Sequence, residues 1–223
     1  NFSLNLLYYL SLNMKNTIKN SDAVMTVPVN QDSLESQLDY FHHLNITTWK
    51  GRLYRKFFLY PLLNFHLKGK TLDVGCGLGV FLRSRRGSIG VDINPYCVEH
   101  CLENGLEAIH SPNPVFSMPS QAFDSVVFDN VIEHLDDPSD ILAEISRVIR
   151  QHGTLIIGVP TFAGFHSQAD HKIFYDEQNL ASVVAQYGFT QKYIFYTPFK
   201  SRYLEKNMNA HCMYSVFTMD KAN

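Results

Sequence analysis

The strongest constraint on this 223-residue chain is a short apolar run that breaks into alternating glycines, Thr71-Leu72-Asp73-Val74-Gly75-Cys76-Gly77-Leu78-Gly79. Residues 71–74 read as a buried strand and residues 80–85 as the helix after it. Glycines at such a junction let the backbone turn tightly and approach a ligand with no Cβ in the way. The N-terminus of the following helix adds free N–H groups and a partial positive charge. The spacing is G-x-G-x-G, whereas the dinucleotide fingerprint of hydride transfer is G-x-G-x-x-G. A second strand, Ser88-Ile89-Gly90-Val91-Asp92, ends in an acid 17 residues after Gly75. A carboxylate at that place can accept hydrogen bonds from both hydroxyls of a ribose. Each feature has a plainer reading alone, a tight turn for the glycines and a helix N-cap for Asp92. Together, in this order, they point to a bound nucleoside.

The chain beyond this point keeps alternating between short apolar runs and amphipathic stretches. Residues 95–104 read as a helix, with Pro95 in its first turn and Gly105 after its end. Residues 124–129 are a strand. Residues 139–150 are a helix whose Ile141, Leu142, Ile145, Val148 and Ile149 share one face, with Ser139 placed to cap it. Strands are expected over 154–159, 192–196 and 212–219, and a helix over 177–187, stopped by Gly188. Strands apolar throughout, alternating with helices, make an α/β protein with a mostly parallel sheet covered on both faces.

These segments resemble class I S-adenosylmethionine-dependent methyltransferases. Leu72 to Gly79 is similar to their first motif, and Ile89-Gly90-Val91-Asp92 to their second strand with its ribose-binding acid. Phe123-Asp124-Ser125-Val126-Val127-Phe128-Asp129-Asn130-Val131-Ile132-Glu133-His134-Leu135 resembles the fourth strand and its post-strand segment. Gly153-Thr154-Leu155-Ile156-Ile157, with the helix before it, resembles the fifth. The likeness covers about residues 68–196 and implies a Rossmann-like, seven-stranded, doubly wound sheet with an antiparallel last strand. It also implies S-adenosyl-L-methionine as cofactor. Gly75, Cys76, Gly77 and Gly79 would lie against its methionine and ribose, Asp73 would help hold its ammonium, and Asp92 would take the ribose hydroxyls. Ile93 would pack on adenine, and Asp129 and Asn130 would border the cofactor near the methyl group. The family often has an acid after its third strand for the adenine amino group. Here the segment is Ile109-His110-Ser111-Pro112-Asn113-Pro114, so Asn113 is the candidate for that contact, or else a turn residue.

Methyl transfer is an in-line displacement in which the protein aligns the nucleophile and, for a hydroxyl, removes a proton. Ligands sit beyond the carboxyl ends of parallel strands, so the base is sought after strands four and five. His171 is the first candidate for base or acceptor-positioning residue and His166 the second. Both lie in the loop from Pro160 to Tyr175, and neutral imidazole suits proton abstraction near pH 7. The Glu133-His134 pair reads instead as a brace for its loop. No metal is expected, since there is no H-E-x-x-H and His166 and His171 stand five apart in a loop. Trp49-Lys50-Gly51-Arg52-Leu53-Tyr54-Arg55-Lys56 reads as an amphipathic helix with a solvated face, or as a closure over the cofactor that meets an acceptor phosphate or carboxylate.

Composition narrows the acceptor. Lys+Arg 19 against Asp+Glu 21 leaves a net charge of -2, without the basic excess of a nucleic-acid binder. Abundant aromatics, 16 Phe and 12 Tyr, exclude a low-complexity disordered chain. Cys76, Cys97, Cys101 and Cys212 form neither a disulfide scaffold nor a C-x-x-C zinc site, and fit a reducing, cytoplasmic setting. The longest apolar stretch, residues 57–63, is far short of the roughly 20 residues a membrane-spanning helix needs. Residues 1–13 lack a basic start and a cleavage site; they are expected to be a fragment end or an upstream extension ahead of Met14-Lys15. The expected organisation is an irregular arm over 1–32, a helical cap over 33–67 and the methyltransferase domain over 68–223. The expected activity is O-methylation of a small-molecule or glycan acceptor by a monomer or homodimer. The alternatives are a non-catalytic S-adenosylmethionine-binding regulatory protein and a nicotinamide-dependent oxidoreductase.

Overall fold

The computed structural model describes residues 31–45 and 49–220. The expected arm therefore lies outside the described residues except for its last two positions, which already belong to the first helix. Residues 35 onward form one compact unit. Helix α1 spans Gln31–Asn45 and α2 Trp49–Tyr54. A π-turn over Arg55–Leu59 then leads into α3, Tyr60–His66, with Pro61 in its first turn. Proline is tolerated there because the N–H it lacks would have no helical partner.

The core alternates from this point: β1 Thr71–Val74, α4 Val80–Ser84, β2 Ile89–Asp92, α5 Pro95–Glu103, β3 Glu107–His110, β4 Phe123–Asp129, α6 Ser139–Val148, β5 Ile149–Pro160, α7 Phe162–His166, α8 Glu177–Ala185, β6 Phe189–Thr197, α9 Arg202–Asn207 and β7 Cys212–Met219. The seven strands make one sheet in the order β3-β2-β1-β4-β5-β7-β6. Strands β1 to β5 pair in parallel, and β7 runs antiparallel to both β5 and β6. The sheet is thus the expected one, with its last strand reversed. That last strand sits inside β6 because seven of its eight residues are buried, whereas β6 keeps exposed positions that suit an edge.

Successive strand residues face opposite sides of a sheet, and the core divides accordingly. Val126, Phe128, Leu155, Ile157 and Phe217 pack on one side with Leu142, Ile145 and Val148 of α6 and Leu180 and Val184 of α8. Val127, Ile156, Tyr214 and Val216 pack on the other with Tyr60, Leu63, Phe81 and Val98. Arg85 ties α3 to this core: its Nη1 donates to Asn64 Oδ1 at 3.3 Å and its Nε to Thr71 Oγ1 at 2.7 Å. No helix among the described residues is long and apolar enough to cross a membrane.

The structure departs from the expected elements in a few places. Ser139 does not cap α6; it is the first helical residue, and its N–H donates to Asp137 Oδ1 at 2.9 Å. Strand β5 begins at Ile149, opposite Phe123, and passes an irregularity at His152, whose φ is 61°, before the regular pairing from Thr154. The loop after β5 holds the short helix α7.

Candidate functional site

The site is built on the carboxyl ends of β1, β2, β4 and β5. After β1 the backbone takes positive φ at Gly75 (74°), Gly77 (50°) and Gly79 (67°). At Gly75 a side chain would also run into that of Val131. At Gly77 the space is open, with only Leu44 Cδ1 3.6 Å from a Cβ. There the left-handed backbone is what requires glycine. The turn is pinned from both sides: Gly75 and Cys76 donate to the Val91 carbonyl at 2.8 and 3.1 Å, and Gly77 donates to Asp92 Oδ2 at 2.7 Å. Asp92 Oδ1 accepts from the Asn94 N–H at 2.8 Å. The N-cap of α5 is Asn94, whose side chain accepts from Tyr96 and Cys97, so Asp92 is not used as a cap. Ile93, next in line, is 61% exposed, an apolar side chain left in the open beside the loop. Asn113 lies in the exposed turn after β3, its carbonyl accepting from the Ser111 hydroxyl at 2.7 Å. Cys76 is buried behind the loop against Gly90.

A row of carboxylates runs along this edge. Asp73 is only 4% exposed, and its pKa is held well above the usual range by burial first, then by Asp129 and Asp92. Burial also raises Asp92, against the pull of the Asn94 and Gly77 N–H groups. Burial raises Asp129 as well, opposed by the Arg55 guanidinium and by hydrogen bonds from Tyr214 and Asn130. Asn130 Nδ2 donates to Asp129 Oδ1 at 2.7 Å, and Asn130 itself sits at φ 52°. Gly158 of β5 leaves room for the pair, since a Cβ there would lie 2.5 Å from Tyr214 Cε1. Arg55 comes from the π-turn and also hydrogen-bonds the Tyr60 hydroxyl. Irregular helical turns of this kind recur at functional sites.

Helix α1 lies against the same face. Asn94 Nδ2 donates to the Gln37 carbonyl at 2.7 Å, and the Phe41 ring meets Tyr96 and His100 at 6.4 and 5.8 Å. The Tyr40 hydroxyl is pushed up to about 12, by burial first and then by Asp92, Asp170, Cys97 and Glu133.

Those segments carry the rest of the site. A 3-10 turn, Ile132–His134, follows β4. Glu133 is 1% exposed, neither carboxylate oxygen accepts a hydrogen bond from another described residue, and burial lifts its pKa to about 8. His134 Nδ1 lies 3.1 Å from Asp170 Oδ2, which fits the expected bracing of this loop. His171 Nδ1 lies 2.8 Å from the Phe165 carbonyl, and its ring meets His134 at 4.7 Å between centroids. His166 ends α7 with Nδ1 2.9 Å from the Phe162 carbonyl and points along the exposed side of the loop. Both predicted histidines thus follow β5, but His171 joins Glu133 and His134 whereas His166 does not. Sequence reading missed Glu133, Tyr40, Arg55 and Tyr214 as members of the site. The signals were the Glu133-His134 pair, which reads as a brace, and the basic-aromatic run that includes Arg55.

Known proteins resemble this chain in sequence and fold. Residues 72–157 match the family model described as a methyltransferase domain. An uncharacterised protein of Methanocaldococcus jannaschii is 27% identical over 120 residues, covering 52% of this chain and 58% of that protein. A ubiquinone biosynthesis O-methyltransferase of Hahella chejuensis is 33% identical over 96 residues, covering 38% of this chain and 40% of that protein. The chain thus spans about half the length, or less, of these curated relatives. A crystal structure from Thermotoga maritima, described as an S-adenosylmethionine-dependent methyltransferase and possible histamine N-methyltransferase, superposes with TM-score 0.68 at 16% identity. The alignment covers 84% of this chain and all of that one.

Proposed function

We propose, for a chain whose residues 72–157 carry the methyltransferase domain of class I S-adenosylmethionine-dependent enzymes, that it methylates an oxygen of a small-molecule or glycan acceptor. The observation that carries this reading is the row of acids Asp92, Asp73, Asp129 and Glu133, with Asp73 and Glu133 buried and Asp92 and Asp129 half-buried, relieved by Arg55. S-adenosylmethionine is a net cation, with a sulfonium and an ammonium against one carboxylate. A desolvated acidic edge favours it over its product, the uncharged-sulfur thioether. Asp92 would accept from the ribose hydroxyls, Ile93 pack on adenine, Asn113 face its amino group, and Asp73 hold the ammonium. Gly75, Cys76, Gly77 and Gly79 would line the methionine and ribose, with Asp129 and Asn130 beside the methyl. On the acceptor side, the His171 Nδ1–H donates to a carbonyl, which leaves the Nε2 lone pair to hold or deprotonate a hydroxyl. His166 stands at the mouth of the same loop. An oxygen acceptor is supported by the name of the Hahella relative, and a small-molecule or glycan acceptor over nucleic acid by the near-neutral charge. Four free, buried cysteines fit a cytoplasmic setting.

The test is turnover. Purified protein with S-adenosylmethionine and a panel of phenolic, diol and glycan acceptors should yield S-adenosylhomocysteine by mass spectrometry. S-adenosylhomocysteine binding with no turnover on any acceptor would favour the regulatory alternative. Stabilisation by NAD but not by S-adenosylhomocysteine would refute the cofactor assignment.

A further inference from the structure

Three ligand-type side chains from separate parts of the sequence converge at the acceptor end of the site. Glu133 and His134 follow β4, and His171 comes 37 residues later from the loop after α7. The two segments are tied together by Lys172 and Ile173, whose N–H groups donate to the Glu133 carbonyl at 2.7 and 3.2 Å. One ligand atom from each of the three side chains lies within 4.8 Å of the others. Spacing within the loop after β5 makes no metal site by itself, whereas the fold joins that loop to the turn after β4.

The hydrogen bonds around these groups define which atoms are free. A carboxylate and a carbonyl only accept, so the protons of His134 and His171 sit on Nδ1, facing Asp170 at 3.1 Å and Phe165 at 2.8 Å. That leaves a lone pair on Nε2 of each ring. Metal-ligating histidines show this pattern, one nitrogen donating to a carboxylate or carbonyl and the other bound to the ion. Neither histidine donates to Glu133, whose carboxylate is buried and accepts from no other described residue. A buried carboxylate without a partner is costly, and a cation between it and the two imidazoles would relieve that cost.

We propose that Glu133, His134 and His171 bind a divalent first-row transition-metal ion through one carboxylate oxygen and two Nε2 atoms. Two imidazoles in the donor set favour such an ion over magnesium or calcium, which prefer oxygen donors throughout. Metal–ligand distances of about 2.0–2.2 Å require the donor groups, now within 4.8 Å of one another, to draw closer on binding. Three protein donors leave coordination positions open, and resting on the methyl-transfer reading above, these take the acceptor. The acceptor class is then a hydroxyl with a second oxygen donor beside it, as in a vicinal diol or a catechol. Coordination lowers the pKa of the hydroxyl and its proton leaves to solvent. The alkoxide or phenolate attacks the methyl carbon, and the O–C bond forms as the C–S bond breaks. The neutral thioether departs. The His171 Nε2 lone pair is then taken by the ion, which replaces direct deprotonation by His171, and His171 acts as a positioning residue through the metal.

The test titrates the full chain, stripped with EDTA, with Co²⁺ alone. One equivalent should bind saturably with visible d–d absorption, be displaced by Zn²⁺ and resist millimolar Mg²⁺. Glu133→Gln and His171→Gln should each weaken Co²⁺ binding by at least about tenfold, and Asp170→Asn by about tenfold through His134. Retained S-adenosylhomocysteine binding certifies the fold of each variant. Absence of saturable one-equivalent binding in the wild-type chain overturns the proposal, as does binding unchanged in folded Glu133→Gln and His171→Gln. Co²⁺ binding at this site without S-adenosylhomocysteine binding would uphold the metal site and refute the methyl-transfer reading.

Discussion

The N–H of Gly77 donates to Asp92 Oδ2 at 2.7 Å, so the acid that ends β2 clamps the middle glycine of the loop after β1. The other oxygen, Oδ1, is held by Asn94 at 2.8 Å. Each oxygen keeps a lone pair for a ribose hydroxyl, and the carboxylate is fixed before any ligand arrives.

Asp92→Ala therefore removes two things, the ribose acceptor and the clamp on the loop. Hydrogen bonds to a charged group are worth about 1.5–3 kcal/mol each. The expected result is at least about a tenfold loss of S-adenosylhomocysteine affinity by isothermal titration calorimetry. Wild-type affinity in the variant would take Asp92 out of the site.

Asp73 is expected to lower the stability of the ligand-free protein. Its carboxyl is raised in the folded state, so the fold holds a proton that the unfolded chain releases above the ordinary range near 3.8. Folded stability therefore falls as pH rises from that value toward the folded pKa. Asp73→Asn mimics the protonated form. It should leave stability almost unchanged near pH 4 and raise it by about 1 kcal/mol or more at pH 8, ~2–4 °C in Tm for a chain of this size. It should also weaken S-adenosylmethionine binding by about tenfold, the usual exchange between stability and function. A thermal-shift gap that narrows from pH 5 to pH 8 would contradict the assignment.

Gly158 and Tyr214 separate crowding from hydrogen bonding. Gly158→Ala places a methyl 2.5 Å from Tyr214 Cε1 and against Asp129 Oδ1. Overpacking of this kind costs typically 1–3 kcal/mol, and it displaces the Asp129 carboxylate. Tyr214→Phe removes only the hydroxyl that donates to Asp129, a loss of about 1–2 kcal/mol. In urea unfolding, Gly158→Ala should be the more damaging of the two, and it alone should raise KM for S-adenosylmethionine by more than about threefold. Equal effects would mean that Gly158 is not reserved for that contact.

The parts of this site legible in the sequence are those where strand, turn and helix follow one another directly. Asp73, Gly75, Gly77, Gly79 and Asp92 fall within 20 residues, and the turn chemistry of the glycines carries their meaning. The parts that were not legible depend on long-range pairing. The seating of β7 between β5 and β6 follows from a burial pattern that chain order does not reveal. Glu133 reads as a loop brace until Lys172 and Ile173 pin its carbonyl and bring His171 beside it. Arg55 was legible only as part of a basic run. Its role depends on a π-turn, and 3.6-residue periodicity does not predict one. Ser139 misled because a serine before an apolar helix face is a good cap in general, while here Asp137 already holds the N–H of Ser139.

Glu144 offers the opposite pH signature to Asp73. Its carboxylate is 8% exposed, accepts from the Phe116 N–H at 2.6 Å, and takes both Nε and Nη2 of Arg147 at 2.7 and 2.6 Å. Arg147 in turn donates to the Phe116 and Met118 carbonyls, so the pair fastens the segment after β3 to α6. The hydrogen-bonded Arg147 holds the Glu144 carboxyl below its ordinary value of 4.5. A depressed carboxyl contributes stability that is present above that value and lost as pH falls through the folded pKa. Arg147 is 34% exposed on its side chain, so solvent screening discounts the pair. Glu144→Gln should then cost about 1–2 kcal/mol at pH 7, because the amide still accepts from Phe116 but no longer pairs the guanidinium. In urea unfolding the gap between wild type and variant should shrink steadily below pH 4.5. A gap that persisted undiminished at pH 3 would mean that shape, not charge, makes Glu144 matter.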